Sequence, residues 1–209
     1  MTLTAAIAAG AVLAAGYMLT VYYAGQIDPG QDAEPAPADP GQAAPTTDTP
    51  TTDTPTILDE LMSTITNKLQ LWRPPAIYAP RIAAAEAKYG IPAGILARLL
   101  YQESHYREDI ITGRVKSPVG AAGIAQFMPA TARDMGIDPM DVSASIDAAG
   151  RYLSSLYRAT GSWTKALAAY NWGIGNVQRK GLVLAPAETR NYYTQILTDV
   201  NASNGTNWA

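Results

Sequence analysis

Glu103 is the residue most out of keeping with its surroundings. Ile95, Leu96, Leu99 and Leu100 follow the i, i+1, i+4, i+5 pattern of an apolar helical stripe. Glu103 falls four residues after Leu99 and three after Leu100, so it continues that stripe instead of turning to water. Desolvation there disfavours the charged carboxylate and raises its pKa. That is how a carboxylic acid stays protonated at neutral pH and becomes a proton donor.

Three other segments carry polar groups suited to a groove. One holds Gly123-Ile124-Ala125-Gln126-Phe127-Met128, a second Ala169-Tyr170-Asn171-Trp172-Gly173, and a third Glu188-Thr189-Arg190-Asn191-Tyr192. Together with the Glu103-Ser104 pair they stand in a fixed order over about residues 77–200. Each motif has a plainer reading. Tyr170 lies on the stripe Trp163, Leu167, Tyr170 and suits a core position as well as a ligand contact. Gln126 suits a bridge between backbone groups as well as a cleft. Gly120 and Gly123 read as positions of positive φ, and Gly173 and Gly175 as a helix stop and turn. His105, the sole histidine, directly follows Glu103-Ser104. Adjacent helical residues point about 100° apart, so Ser104 and His105 do not form a nucleophile–base couple. Glu188 and Arg190 suggest a local polar bridge.

The four motifs resemble those of the soluble lytic transglycosylase (SLT) family: a Glu-Ser pair, Gly-Leu-Met-Gln, Ala-Tyr-Asn and Glu-Thr-Arg-x-Tyr. The resemblance implies an all-α, lysozyme-like domain related to goose-type lysozyme, acting on peptidoglycan glycan strands without a cofactor. It implies cleavage of the β-1,4 bond between N-acetylmuramic acid and N-acetylglucosamine, with the muramic acid C6 hydroxyl closing a 1,6-anhydro end. Glu103 matches the catalytic acid. Ser104, Gln126, Met128, Tyr170, Asn171, Glu188 and Tyr192 match substrate-binding positions, and Phe127 is a further apolar surface for a sugar. Two departures stand out: Ala125 replaces the family's Met, and Trp172 replaces a small residue after Ala-Tyr-Asn. A goose-type hydrolase, with Glu108 and Asp109 holding a water, is one alternative. A non-catalytic peptidoglycan-binding membrane or virion protein is another.

Composition bounds the rest. The chain has 209 residues, no cysteine, one histidine, a net charge of −3 and a pI near 5.1. This disfavours disulfides and a zinc site, and no metal is expected. No phosphate-binding glycine loop appears, and the acidic balance without a basic stripe disfavours nucleic acid.

Residues 3–25 carry no charge. As a helix they would span roughly 35 Å, enough for a bilayer core. Tyr17, Tyr22 and Tyr23 cluster where rings favour an interface. No Lys or Arg precedes Lys68, so an uncleaved anchor over 1–25 is favoured over a signal peptide. Residues 26–56 are rich in Pro, Thr, Asp and Ala, and Thr46-Thr47-Asp48-Thr49-Pro50 recurs as Thr51-Thr52-Asp53-Thr54-Pro55. Such a segment is expected to be a flexible linker, with a reach between about 30 Å as a coil and about 95 Å extended. The catalytic domain is then expected over 57–205, anchored to a membrane and facing peptidoglycan in a bacterial envelope or a phage virion. Helices are expected over 57–71, 77–89, 93–104, 130–135, 145–160, 163–171 and 187–200. Pro92 is expected in a first helical turn and Ser162 as an N-cap, with a loop, and space for a short hairpin, between Glu103 and Gln126.

Overall fold

The computed structural model describes residues 72–207, with Ile57, Leu58, Glu60 and Leu61. The expected anchor over 1–25, the linker over 26–56 and most of the expected helix over 57–71 lie outside the described residues. Among the described residues no helix is long and apolar enough to cross a membrane.

Eight helices follow one another from Ala79 among the described residues: α1 Ala79–Tyr89, α2 Ile95–Ser104, α3 Glu108–Ile111, α4 Pro129–Met135, α5 Val142–Thr160, α6 Trp163–Trp172, α7 Ile174–Lys180 and α8 Ala187–Asn204. The architecture is all-α. The only strand-like pairing among the described residues is a single antiparallel bridge between Ala122 and Phe127, a remnant of the expected hairpin.

The apolar stripes of the helices face one core. Ile146, Ala149, Leu153 and Leu156 of α5 are all buried, as are Ile196, Leu197 and Val200 of α8. α5 packs on α1 and α6, and α8 packs on α6 and α2. α2 runs through the middle, with Ile95, Leu96, Leu99 and Leu100 fully buried. Ser162 caps α6 by accepting from the Lys165 N–H at 3.4 Å, and Pro186 stands at the N-cap of α8.

Several expectations need correction. α2 starts at Ile95, not 93: Pro92 lies in the preceding turn, its carbonyl accepting from the Ile95 N–H at 3.1 Å, and Gly94 is the N-cap. α5 starts three residues early because Asp141 caps it, accepting from the Ala144 N–H at 3.0 Å. The loop after Glu103 contains the single helical turn α3. After Trp172 the chain does not stay in a turn. Gly173, at φ 84°, ends α6 and opens α7 immediately, so Gly175 lies within a helix.

Gly123 shows why the Gln126 segment needs glycine. Its φ is 73°, and a Cβ there would lie 1.8 Å from the Pro139 carbonyl oxygen. No side chain fits, and the segment is clamped against the residues that lead into α5.

Candidate active site

Glu103 lies in the last turn of α2 with its side chain turned inward, and only 5% of the residue is exposed. α8 packs across this end of α2 and presents the Tyr192 hydroxyl, which donates to Glu103 Oε1 at 2.6 Å. Burial pushes the Glu103 carboxyl up to about 8, the Tyr192 hydrogen bond pulls the other way, and the nearby Glu188 charge adds to the rise. The acid is therefore largely protonated at neutral pH. Tyr192 and Tyr170 are both buried and held well above the ordinary tyrosine range by desolvation and then by Glu103, so both remain hydroxyl donors.

α6 supplies the opposite wall. Tyr170 donates to the Ala125 carbonyl at 3.3 Å, and its ring lies against Phe127 and Tyr152 at centroid distances of 6.4 and 5.5 Å. Its core-filling reading holds: the ring packs, while the hydroxyl ties α6 to the segment bearing Gln126. Asn171 is buried, and its Oδ1 accepts from the Thr189 hydroxyl at 2.8 Å, joining α6 to the first turn of α8. Gln126 is buried at φ 47°, a left-handed conformation unusual for a residue with a side chain. Its Nε2 donates to the Gly123 carbonyl at 2.7 Å, and Oε1 is buried without a partner. Met128 is half-buried at the N-cap of α4.

The structure thus groups Glu103, Tyr170, Glu188 and Tyr192 closely enough for their charges to act on one another. Ser104 is placed differently. It is fully buried, its hydroxyl donating to the Leu100 carbonyl at 3.1 Å and accepting from the Tyr106 N–H at 3.3 Å. Phe127 belongs to the core and presents no open face. Ala125 and Trp172 are likewise core residues, with the Lys180 ammonium 5.2 Å from the Trp172 ring centroid. His105 is exposed in a left-handed conformation at the end of α2. Arg190 donates to the Ala185 carbonyl. Glu108 accepts from Tyr78 at 3.3 Å, and Asp109 accepts from Arg107 at 3.1 and 2.6 Å.

Three contributors were not singled out in the sequence. Thr189 and Tyr152 support Asn171 and Tyr170. Glu86, on α1, sends Oε1 to the backbone N–H groups of Gly94, Leu96 and Ala97 at 3.0, 2.9 and 3.2 Å, capping the helix that carries Glu103. The signal for Glu86 was present, since it extends the apolar face of Ile82 and Ala85. Among the described residues no group of three His, Cys, Asp or Glu is placed to hold a metal ion.

Known proteins match this chain. The model of the transglycosylase SLT domain matches residues 80–192, a span that runs from α1 to Tyr192 and takes in Glu103. A membrane-bound lytic murein transglycosylase F 2 of Alkalilimnicola ehrlichii is 32% identical over 108 residues, covering 48% of this chain and 23% of the relative. A membrane-bound lytic murein transglycosylase F of Actinobacillus succinogenes is 38% identical over 92 residues, covering 40% and 18%. The chain thus spans under a quarter of the length of these relatives. An X-ray structure of an inactive mutant of the lytic transglycosylase Slt from Pseudomonas aeruginosa superposes with a TM-score of 0.52 at 23% identity, covering 63% of this chain and 24% of that one. At that identity the likeness speaks for the fold alone. The family match covers just over half of the 209 residues and encloses the buried acid with its tyrosine partner, so the chain belongs to the transglycosylase SLT domain family.

Proposed function

We propose that this chain is a peptidoglycan lytic transglycosylase that cuts the β-1,4 bond between N-acetylmuramic acid and N-acetylglucosamine and leaves a 1,6-anhydro end. The observation that carries the reading is Glu103: buried, raised to about 8, and held at one oxygen by Tyr192 at 2.6 Å.

Tyr192 fixes Oε1 and leaves Oε2 to carry and deliver the proton. Glu103 protonates the leaving O4 as the C1–O4 bond breaks. The muramic acid C6 hydroxyl then bonds to C1, and its proton passes to the Glu103 carboxylate. The proton count closes without water, and the acid is restored. Glycosidases usually need a second carboxylate as nucleophile or base. A tethered hydroxyl removes that need, because its effective molarity can reach about 10⁵ M or more. Glu188 then acts through its charge, favouring the protonated state of Glu103. Gln126 Oε1, buried and unpartnered, is suited to accept an N–H from an N-acetyl group. Asn171 and Met128 are assigned to substrate by the resemblance, and Ser104 acts by holding the end of α2.

The setting we propose is a membrane-anchored enzyme acting on glycan strands through the tether of residues 26–56, in an envelope or a virion. The names of the relatives, membrane-bound lytic murein transglycosylases, support it. The test is digestion of purified sacculi with mass spectrometry of the soluble products. Anhydro-muropeptides from the wild-type chain and none from Glu103→Gln are expected. Reducing ends in their place would overturn the proposed chemistry.

A further inference from the structure

Glu188, Thr189 and Tyr192 stand at i, i+1 and i+4 near the start of α8 and so share one face of that helix. Two of them act on Glu103 directly, Glu188 through its charge and Tyr192 through a hydrogen bond. Thr189 reaches the site by another route. It is 0% exposed, so no substrate touches it, and its hydroxyl donates to Asn171 Oδ1 on α6 at 2.8 Å.

An amide side chain has two unlike ends: the oxygen accepts, the nitrogen donates, and half a turn about the last bond exchanges them. The end that faces a groove decides what the groove recognises. At Asn171 the choice is made by Thr189, whose hydroxyl makes no other hydrogen bond among the described residues. Turned the other way, Nδ2 would donate to the hydroxyl oxygen, and the hydroxyl proton would be left in the core without an acceptor, a costly arrangement. With Oδ1 spent on Thr189, Nδ2 is the end that remains. The Asn171 side chain makes no further hydrogen bond among the described residues, and Nδ2 is not one of the sealed atoms that lack a partner. The 2% of Asn171 that stays exposed therefore includes Nδ2. Gln126 is set the opposite way, with Nε2 spent on the Gly123 carbonyl and Oε1 left over.

We propose that Thr189 is a positioning residue of this site: it locks the Asn171 amide so that Nδ2 donates to an oxygen of the bound glycan. This rests on the reading above only in taking a glycan strand as the ligand. Without the lock the amide presents either end, and the wrong end sets an acceptor against an acceptor. The contact forms when the strand binds and persists through the reaction, so its loss raises KM and leaves kcat nearly unchanged. In this Thr189 differs from Tyr192, which touches the reacting acid itself.

The experiment measures kcat and KM on purified glycan strands, per folded chain, for Thr189→Val, Thr189→Ser, Asn171→Ala and the double variant Thr189→Val with Asn171→Ala. Valine keeps the shape of threonine without the hydroxyl, and serine keeps the hydroxyl. Thr189→Val is expected to raise KM about tenfold with kcat within about twofold, and Thr189→Ser to stay within about twofold of wild type in both. Because Thr189 acts through Asn171, Thr189→Val should change KM by less than about twofold once Asn171 is alanine. A role confined to the fold gives a different pattern: a lower denaturant midpoint with KM per folded chain unchanged. That pattern, equal losses in the valine and serine variants, or a full tenfold loss in the Asn171→Ala background would overturn the proposal. Reducing ends in place of anhydro ends count against the transglycosylase reading, while the KM comparison still decides the role of Thr189. If no bond is cut, the Kd of each chain for the same strands should follow the same factors, and equal Kd values would overturn the lock.

Discussion

Two glutamates are buried at opposite ends of α2, and they keep different company. Glu86 meets the N-terminal end, where three backbone N–H groups converge on one of its oxygens. Glu103 lies in the last turn and receives a single tyrosine hydroxyl. Burial raises both carboxyls, but at Glu86 three hydrogen bonds oppose the rise, while at Glu103 one hydrogen bond opposes it and Glu188 adds to it. The helix ends differ as well, since the N-terminal end favours an anion and the C-terminal end disfavours one. Burial alone therefore does not make a carboxyl a proton donor. The donors it faces decide how strongly the rise is opposed.

The comparison breaks most sharply at Glu103 itself. Glu103→Gln keeps the shape and an acceptor for Tyr192 but removes the proton that the reaction needs. Removing the acid is expected to lower kcat by about 10³-fold or more, with the chain still cooperatively folded. The same exchange at Glu86 should do the reverse. Glu86→Ala leaves the N–H groups of Gly94, Leu96 and Ala97 without their shared acceptor and should destabilise the fold by about 2–4 kcal/mol. Glu86→Gln, which keeps one acceptor oxygen, should cost about 1 kcal/mol. Denaturant melts measure both, and residual activity should follow the folded fraction. A Glu86→Gln chain that stays fully folded yet loses catalysis would erase the distinction between the two residues.

Tyr192 sharpens it further. Its hydrogen bond favours the charged form of Glu103, so Tyr192→Phe should move the alkaline limb of the pH–rate profile above its wild-type position near 8. Loss of the fixed Oε1 should also lower kcat by about tenfold. A limb that shifts downward would mean that Tyr192 acts on Glu103 in another way.

How much of this was legible in the sequence depends on whether a residue acts along its own helix or across helices. Glu103 was visible because a carboxyl there continues an apolar stripe, and Ser162 because capping is a local event. Glu86 carried the same signal beside Ile82 and Ala85, but the backbone groups that it satisfies lie eight to eleven residues away. Ser104 was assigned to the cleft by the resemblance, as the second residue of the Glu-Ser pair. Yet neighbours on a helix point about 100° apart, the argument that set His105 aside, and the structure turns the Ser104 hydroxyl back to Leu100. α7 was hidden because its seven residues carry too few apolar positions for a period to show. The bond between Thr189 and Asn171 joins α8 to α6, and only packing reveals it.

The last test of the comparison needs no substrate. Glu103 has a carboxyl at about 8 in the folded chain, against an ordinary value of 4.5. Below 4.5 both folded and unfolded chains hold the proton. Between 4.5 and 8 the unfolded chain releases a proton that the folded chain retains, so stability falls as pH rises, and above 8 the loss is complete. Glu103→Gln has no such proton to lose. Glu86 is present in both chains, so its contribution cancels in the difference. The melting temperature of Glu103→Gln relative to wild type should therefore climb from pH 4.5 to pH 8 and then level off. A shift from 4.5 to about 8 corresponds to several kcal/mol, at about 1.4 kcal/mol per pKa unit, and so to a rise of about 10 °C or more. A difference that does not change with pH would mean that Glu103 keeps an ordinary carboxylate pKa in the folded chain, and the acid assigned to this end of α2 would be gone.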